Sequence, residues 1–306
     1  MSAEIEQNLA KIPIINFFVA LLKRVKLTFS DGLSLYDLLE LYVIGIAKGA
    51  FSYRAGAIAF SFFMALFPFA LFILNLVPYI PIEGFQDDFM EFVAQAVPPN
   101  TFDAIKNILD DIMTNSYKGL LSSGFLLSIF LMSNGINAVL GGFEISYHIT
   151  VTRSMFRQYL VSVALSIMMA LLLLVTVAVM VTFEVIIQKI TIKQIADTSV
   201  YLIQWGRFAF VILMIITLVS TLYKFGTKQK LTVSFFSYGS VLTTILFVLS
   251  SYIFGIYVER FARYNELYGS IGTLLVFMIY IWLNCMILLL GFELNATVSK
   301  LKKVVK

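Results

Sequence analysis

Charge is the scarcest commodity in this 306-residue chain: Asp, Glu, Lys and Arg make up 13% of it, against roughly 25% in a soluble domain. An ordinary water-facing surface cannot be built from so little. There is one cysteine, Cys285, so no intramolecular disulfide and no Cys-based metal site can form. There is one histidine, His148; without Cys partners it cannot make a zinc site of the usual kind, and it reads as an ordinary interfacial residue. No G-x-x-x-x-G-K-[ST] occurs, which argues against ATP-driven transport within this chain. The first 54 residues lack a compact apolar core followed by a small-residue cleavage site, so a cleavable signal peptide is not expected.

What the chain has is length without charge. Residues 55–82, 119–143, 158–183, 231–258 and 267–292 each run at least 25 residues with no charged side chain, and 198–223 is broken only by Arg207. About 20 apolar residues cross a bilayer core as a helix, and in lipid an isolated segment must satisfy its backbone internally. The reading is an all-α, six-helix transmembrane bundle, with spans of about 55–81, 119–142, 158–183, 200–223, 232–257 and 269–293. Residues 1–54 form an amphipathic N-terminal region, 83–118 an outer helical loop, and 299–306 a basic tail.

Loop charges orient the bundle. Fifteen Lys and Arg fall in the N-terminal region, the second-to-third and fourth-to-fifth connections and the tail; six fall in the alternate connections. By the positive-inside rule both termini are expected to be cytoplasmic. The net charge of +4 then points to anionic headgroups at the basic segments and not to nucleic acid.

Finer features follow. Residues 14–29 (IINFFVALLKRVKLTF) suit an interfacial helix. Ser34 and Asp37 have the spacing of a helix start, predicting a helix from about Leu35 to Ala50. In the outer loop, Phe85, Phe89 and Phe92, then Phe102, Ile105, Ile108, Leu109 and Ile112, recur at helical spacing on either side of Pro98-Pro99. Pro68 inside span one is a candidate kink. Span two carries Ser133, Asn134, Gly135, Asn137, Gly141 and Gly142, a composition for close helix contact that places it centrally. Span three, with few polar groups, is expected to face lipid.

Span six, YGSIGTLLVFMIYIWLNCMILLLGFELNA (268–296), resembles the closing segment of the YihY/BrkB family of bacterial inner-membrane proteins. RAGAIAFSFFMALFPFALFI (54–73) is similar to that family's Ala-rich entry and Leu-Phe-Pro turn, and SNGINAVLGGFEISYHITVTRSMFRQYL (133–160) to a third family stretch. Many members carry Ser where Ala65 stands here, so any role of that hydroxyl is absent. The resemblance covers most of residues 45–298. It implies six transmembrane helices, cytoplasmic termini and a bacterial inner membrane. Members have been labelled ribonuclease BN or virulence factor BrkB, and one branch is linked to lipopolysaccharide precursor export.

Ionisable residues inside a membrane are functional candidates by default. Arg207 lies about 10 Å inside the outer start of span four; it can snorkel to phosphates or contact an anionic group with Glu184 as partner. Glu293, at the inner end of span six, can pair with Arg54, Arg153 or Arg157, or line a mouth. Asn134, Asn137 and Asn284 can form a polar core for a permeating group or serve as interhelical glue. Acidic pairs Asp87-Asp88 and Asp110-Asp111 lie on the side expected to be outside, where a metal-dependent cytoplasmic nuclease could not use them. No cofactor is expected, and no enzymatic activity. The preferred function is a transporter or flippase-like protein for a lipid or other amphiphile; the alternative is a membrane scaffold or envelope-assembly protein. A small-ion channel would call for a ring of charges that the sequence lacks. Membrane lipids are the expected partners, and six helices could also be half of a homodimer.

Overall fold

The structure is a computed structural model, and it describes residues 22–24, 26, 34–76, 84–96, 106–107, 109–110, 118–192, 197–229, 231–261 and 264–304. Among these the chain is helical, with no strand beyond an isolated bridge between Lys26 and Ser34. The main helices are α1 (Leu35–Lys48), α2 (Phe51–Leu76), α3 (Phe85–Ala96), α4 (Lys118–Glu144), α5 (Met155–Ile192), α6 (Asp197–Phe225), α7 (Tyr238–Phe261) and α8 (Tyr264–Val304).

Segments of α5, α6, α7 and α8 are long and apolar enough to cross a membrane, and α1 with α2, bent by 65° at their junction, make a fifth candidate. The expected second crossing falls on α4, 27 helical residues that are not among these candidates, so the described residues show four candidate crossings, or five with the bent pair, against the six expected. The expected interfacial helix at 14–29 and the second outer-loop helix at 102–112 lie mostly outside the described residues.

Local sequence explains where the helices begin. Ser34 accepts from the Asp37 N–H while the Asp37 carboxylate accepts from the Ser34 N–H at 2.7 Å, a reciprocal cap that satisfies two orphan donors. At the start of α7, Ser237 and Ser240 exchange backbone-to-hydroxyl bonds in the same way. The junction of α1 and α2 is tight. Ala50 takes a left-handed φ of 46°, and the chain turns there into a new helix within two residues.

α2 runs along α4; α8 packs against α7, α2 and α1; α5 joins α4 to α6, and α6 reaches α7. As expected, α4 is central: Ile136, Val139, Leu140 and Phe143 are fully buried or nearly so. The crossing segment of α5 is only 17% buried, the least of the four, and shows Leu160, Ile167, Leu171 and Val175 outward, as a lipid-facing wall would. On α3, Phe85 and Phe89 are buried and stacked, with the helix lying against α5. At the basic end the core closes on an aromatic knot. Phe143 and Phe292 stack at 4.1 Å, with Tyr223 edge-on to both. Beyond it α8 continues to Val304, and its Val298 and Leu301 pack on Leu38 of α1.

Candidate functional site

Glu293, in the last third of α8, is fully buried. A carboxylate out of water is costly unless hydrogen-bonded or paired, so its surroundings carry the information. Ser146, in the short α4–α5 connection, donates its hydroxyl to Oε2 at 2.8 Å. Nε2 of His148 stands 3.6 Å from Oε1, both side chains fully covered, and it lies 3.2 Å from the carbonyl of Leu41 on α1. Oε1 itself has no hydrogen-bond partner among the described residues. Gly45 of α1 faces this oxygen so closely that any Cβ there would collide with the carboxylate. α1 can therefore cover Glu293 only because position 45 has no side chain.

Arg54, 2% exposed, supplies the opposite charge. Nη1 donates to the Gly49 carbonyl at 2.9 Å and Nη2 to that of Gly142, which ties the α1–α2 junction to α4. The Tyr42 hydroxyl donates to the Leu290 carbonyl at 3.1 Å. His148 lies outside the crossing helices. Its burial pushes the imidazole below its usual range; Lys300, 3.5 Å from Nδ1, adds to this, and the Leu41 carbonyl partly opposes it. A carboxylate from α8 and an imidazole from the α4–α5 connection thus meet in one buried pocket covered by α1, with the buried guanidinium of α2 nearby.

The other predicted residues are placed as follows. The Asn137 Oδ1 accepts from Gln158 Nε2 at 3.0 Å and from the Ser162 hydroxyl, joining α4 to α5. The Asn284 Oδ1 accepts from Ser250 at 3.0 Å and its Nδ2 donates to the Tyr280 carbonyl, joining α8 to α7. Both amides act as interhelical glue. Asn134 is half-buried on α4. Arg207 is half-buried on α6, two turns before Ile215, whose side chain lines an apolar cavity. Glu184 lies in α5, but its side chain is outside the described residues. Pro68 lies within α2, and the measured 65° bend falls between Lys48 and Phe51. Arg153, a candidate partner for Glu293, instead serves the end of α6: its guanidinium donates to the carbonyls of Phe225, Gly226 and Thr227. A cation at a helix C-terminus is favoured by both dipole and orphan carbonyls.

Several buried polar residues escaped the sequence reading. Asn295 accepts from the Gly239 N–H at 2.9 Å and donates to Ser237 at 2.7 Å. Tyr223 bonds Thr243 and the Leu288 carbonyl. Gly239 and Gly291 face each other where no Cβ fits on either, so α7 and α8 touch backbone to backbone. The available signal was the run Gly291-Phe292-Glu293-Leu294-Asn295, in which every residue but Leu294 is buried. Among the described residues no three His, Cys, Asp or Glu side chains converge as a metal site.

Long apolar helices around a core of small and amide-bearing contacts, with a charge-bearing pocket at the basic end, define a polytopic helical membrane protein. The sequence profile described as Virulence factor BrkB matches residues 46–305, and the chain belongs to this family. It is 31% identical over 253 residues to the ribonuclease-like protein YfkH of Bacillus subtilis (strain 168), covering 82% of this chain and 91% of that one. It is 22% identical to the UPF0761 membrane protein NTHI0384 of Haemophilus influenzae (strain 86-028NP), over 81% of this chain and 89% of the relative. No solved structure matches it.

Proposed function

We propose that this chain moves a lipid or other amphiphile across a bacterial inner membrane, as a transporter or flippase-like protein with both termini cytoplasmic and no enzymatic step. The observation that carries this reading is an open apolar cleft of about 390 Å³ among the helices, walled by α2, α5, α6, α7 and α8 through residues such as Phe62, Met169, Leu218, Phe247 and Leu288. Its walls are almost wholly apolar, with Asn284 and Tyr280 as polar points. Tyr280 also lines a neighbouring groove of about 360 Å³ between α7 and α8, walled by Leu249, Ile253 and Ile279, whose side chains are exposed on the membrane face. The volume suits a small-molecule site. An inorganic ion would find little to replace its water in such walls, whereas an acyl chain loses nothing there.

The test uses purified protein in liposomes with a fluorescent phospholipid and a membrane-impermeant quencher. Transport predicts that the protected inner-leaflet signal is lost. Leu218→Trp, which fills the cavity, and Arg207→Ala should slow that loss at least tenfold while the proteins remain folded. A protected fraction unchanged by the wild-type protein would count against lipid movement and favour a scaffold.

A further inference from the structure

A second concavity lies at the basic end, away from Glu293. One cavity of about 500 Å³ is lined by Arg153, Lys224 and Lys228, with Leu231, Val233 and Phe235 as an apolar wall. A neighbour of about 380 Å³ is lined by Arg153, Arg157 and Lys228 beside Leu160 and Val161. Arg153 and Lys228 border both, and among the described residues no acidic side chain lines either.

Arg153 is held in place by bonds unrelated to any ligand. Arg153 is anchored at 2.9 Å to Gly226, 2.9 Å to Phe225 and 2.8 Å to Thr227, and its backbone N–H donates to Glu144 at 3.1 Å. Its guanidinium cannot swing away, so its charge stays at the boundary between the two cavities. The loop carrying Lys228 is pinned by Gln229, whose Oε1 accepts from the N–H and hydroxyl of Thr150 and whose Nε2 donates to the His148 carbonyl. A cation positioned before binding, as Arg153 is, costs little ordering entropy when an anion arrives. Phe225 and Phe235, which line the larger cavity, are 51% and 37% exposed, so the basic hollow opens beside apolar surface.

We propose that this pair of cavities is a binding site for a phosphate ester, with Arg157, Lys224 and Lys228 around the phosphate, Arg153 as the fixed charge behind it, and Leu160, Val161 and Phe235 against the apolar part of the ligand. Guanidinium and ammonium groups match phosphate oxygens in charge and hydrogen bonding, and the combined space admits a phosphodiester headgroup. The site is distinct from the apolar cavity and stands whether or not that cavity carries lipid. The phosphate can come from a lipid headgroup or from a soluble phosphate ester.

Full-length protein in detergent would be titrated with dioctanoyl phosphatidylglycerol and with dioctanoyl phosphatidylcholine, with sn-glycerol 3-phosphate as competitor. Phosphatidylglycerol should bind at least tenfold tighter than phosphatidylcholine. Arg157→Ala with Lys228→Ala should remove that preference at unchanged melting temperature; both residues are exposed, and Lys228→Gln alone provides a milder variant. Competition by glycerol phosphate at matched concentration assigns the site to soluble esters, and competition by lipid alone to headgroups. Equal binding of the two lipids, no binding of either phosphate ester, or full retention of the preference in the folded variants would overturn the proposal.

Discussion

The Ser146 hydroxyl donates to Glu293 Oε2 at 2.8 Å, joining residues 147 positions apart in a pocket where the carboxylate is fully buried. A hydrogen bond to a buried charged group contributes on the order of 1.5–3 kcal/mol in soluble proteins, and less on average between membrane helices. A double-mutant cycle of Ser146→Ala and Glu293→Gln, read as detergent stability, should give a coupling of about 1 kcal/mol. Additivity within experimental error would mean that the bond contributes nothing net.

The space left by Gly45 sets a second expectation. Gly45→Ala pushes a methyl group into the Glu293 carboxylate and should destabilise by about 1–3 kcal/mol, the usual cost of overpacking. It should also make α1 more accessible to protease. Gly56 in α2 has nothing within 4 Å of a built Cβ, so Gly56→Ala should be neutral or stabilising by up to about 1 kcal/mol on helix propensity. Equal effects at the two positions would refute the close approach of α1.

His148 gives the pH dependence. Burial lowers its pKa from the ordinary 6.5, so the unfolded chain takes up a proton before the native one does. The resulting stability is fully present above about pH 6.5 and is lost as the pH falls through and below that value. Melting temperature measured between pH 7.5 and 5 should fall more steeply for the wild-type protein than for His148→Gln. Parallel curves would show that another group governs this range.

Ala50 holds a left-handed backbone, φ 46°. That conformation costs an L-residue about 1–2 kcal/mol, partly offset by the entropy glycine loses on folding. Ala50→Gly should therefore stabilise by a few tenths to about 1 kcal/mol, and Ala50→Val should destabilise. Thermal denaturation of the two variants decides it; a destabilised glycine variant would contradict the strain.

Arg153 reaches three carbonyls at the end of α6 with one planar fork. Lysine keeps the charge but cannot span them. Arg153→Lys should cost about 1–2 kcal/mol, with hydrogen exchange faster at 225–228, at and just past the end of α6, than within the helix. Unchanged exchange there would show that the cap is dispensable.

What the sequence determined by itself was the solvent. Charge-free runs of 25 residues or more can only be satisfied as helices in lipid, and helix-start chemistry at Ser34 and Asp37 is local enough to read from four residues. Central α4 and outward-facing α5 were legible too, because small and amide side chains between helices differ from Leu-rich walls. The tertiary structure decided the rest. Three cations were equally plausible partners for Glu293 on sequence. The fold bound Arg54 to the Gly49 and Gly142 carbonyls, assigned Arg153 to a helix end, and brought Ser146 and His148 to Glu293 from a connection that looked interfacial. A buried charge selects partners by distance across the fold, and one-dimensional spacing carries no record of which helix ends meet. The basic hollow has the same origin: Arg153 and Lys228 come from two connections separated by α5 and α6, and only packing makes them neighbours.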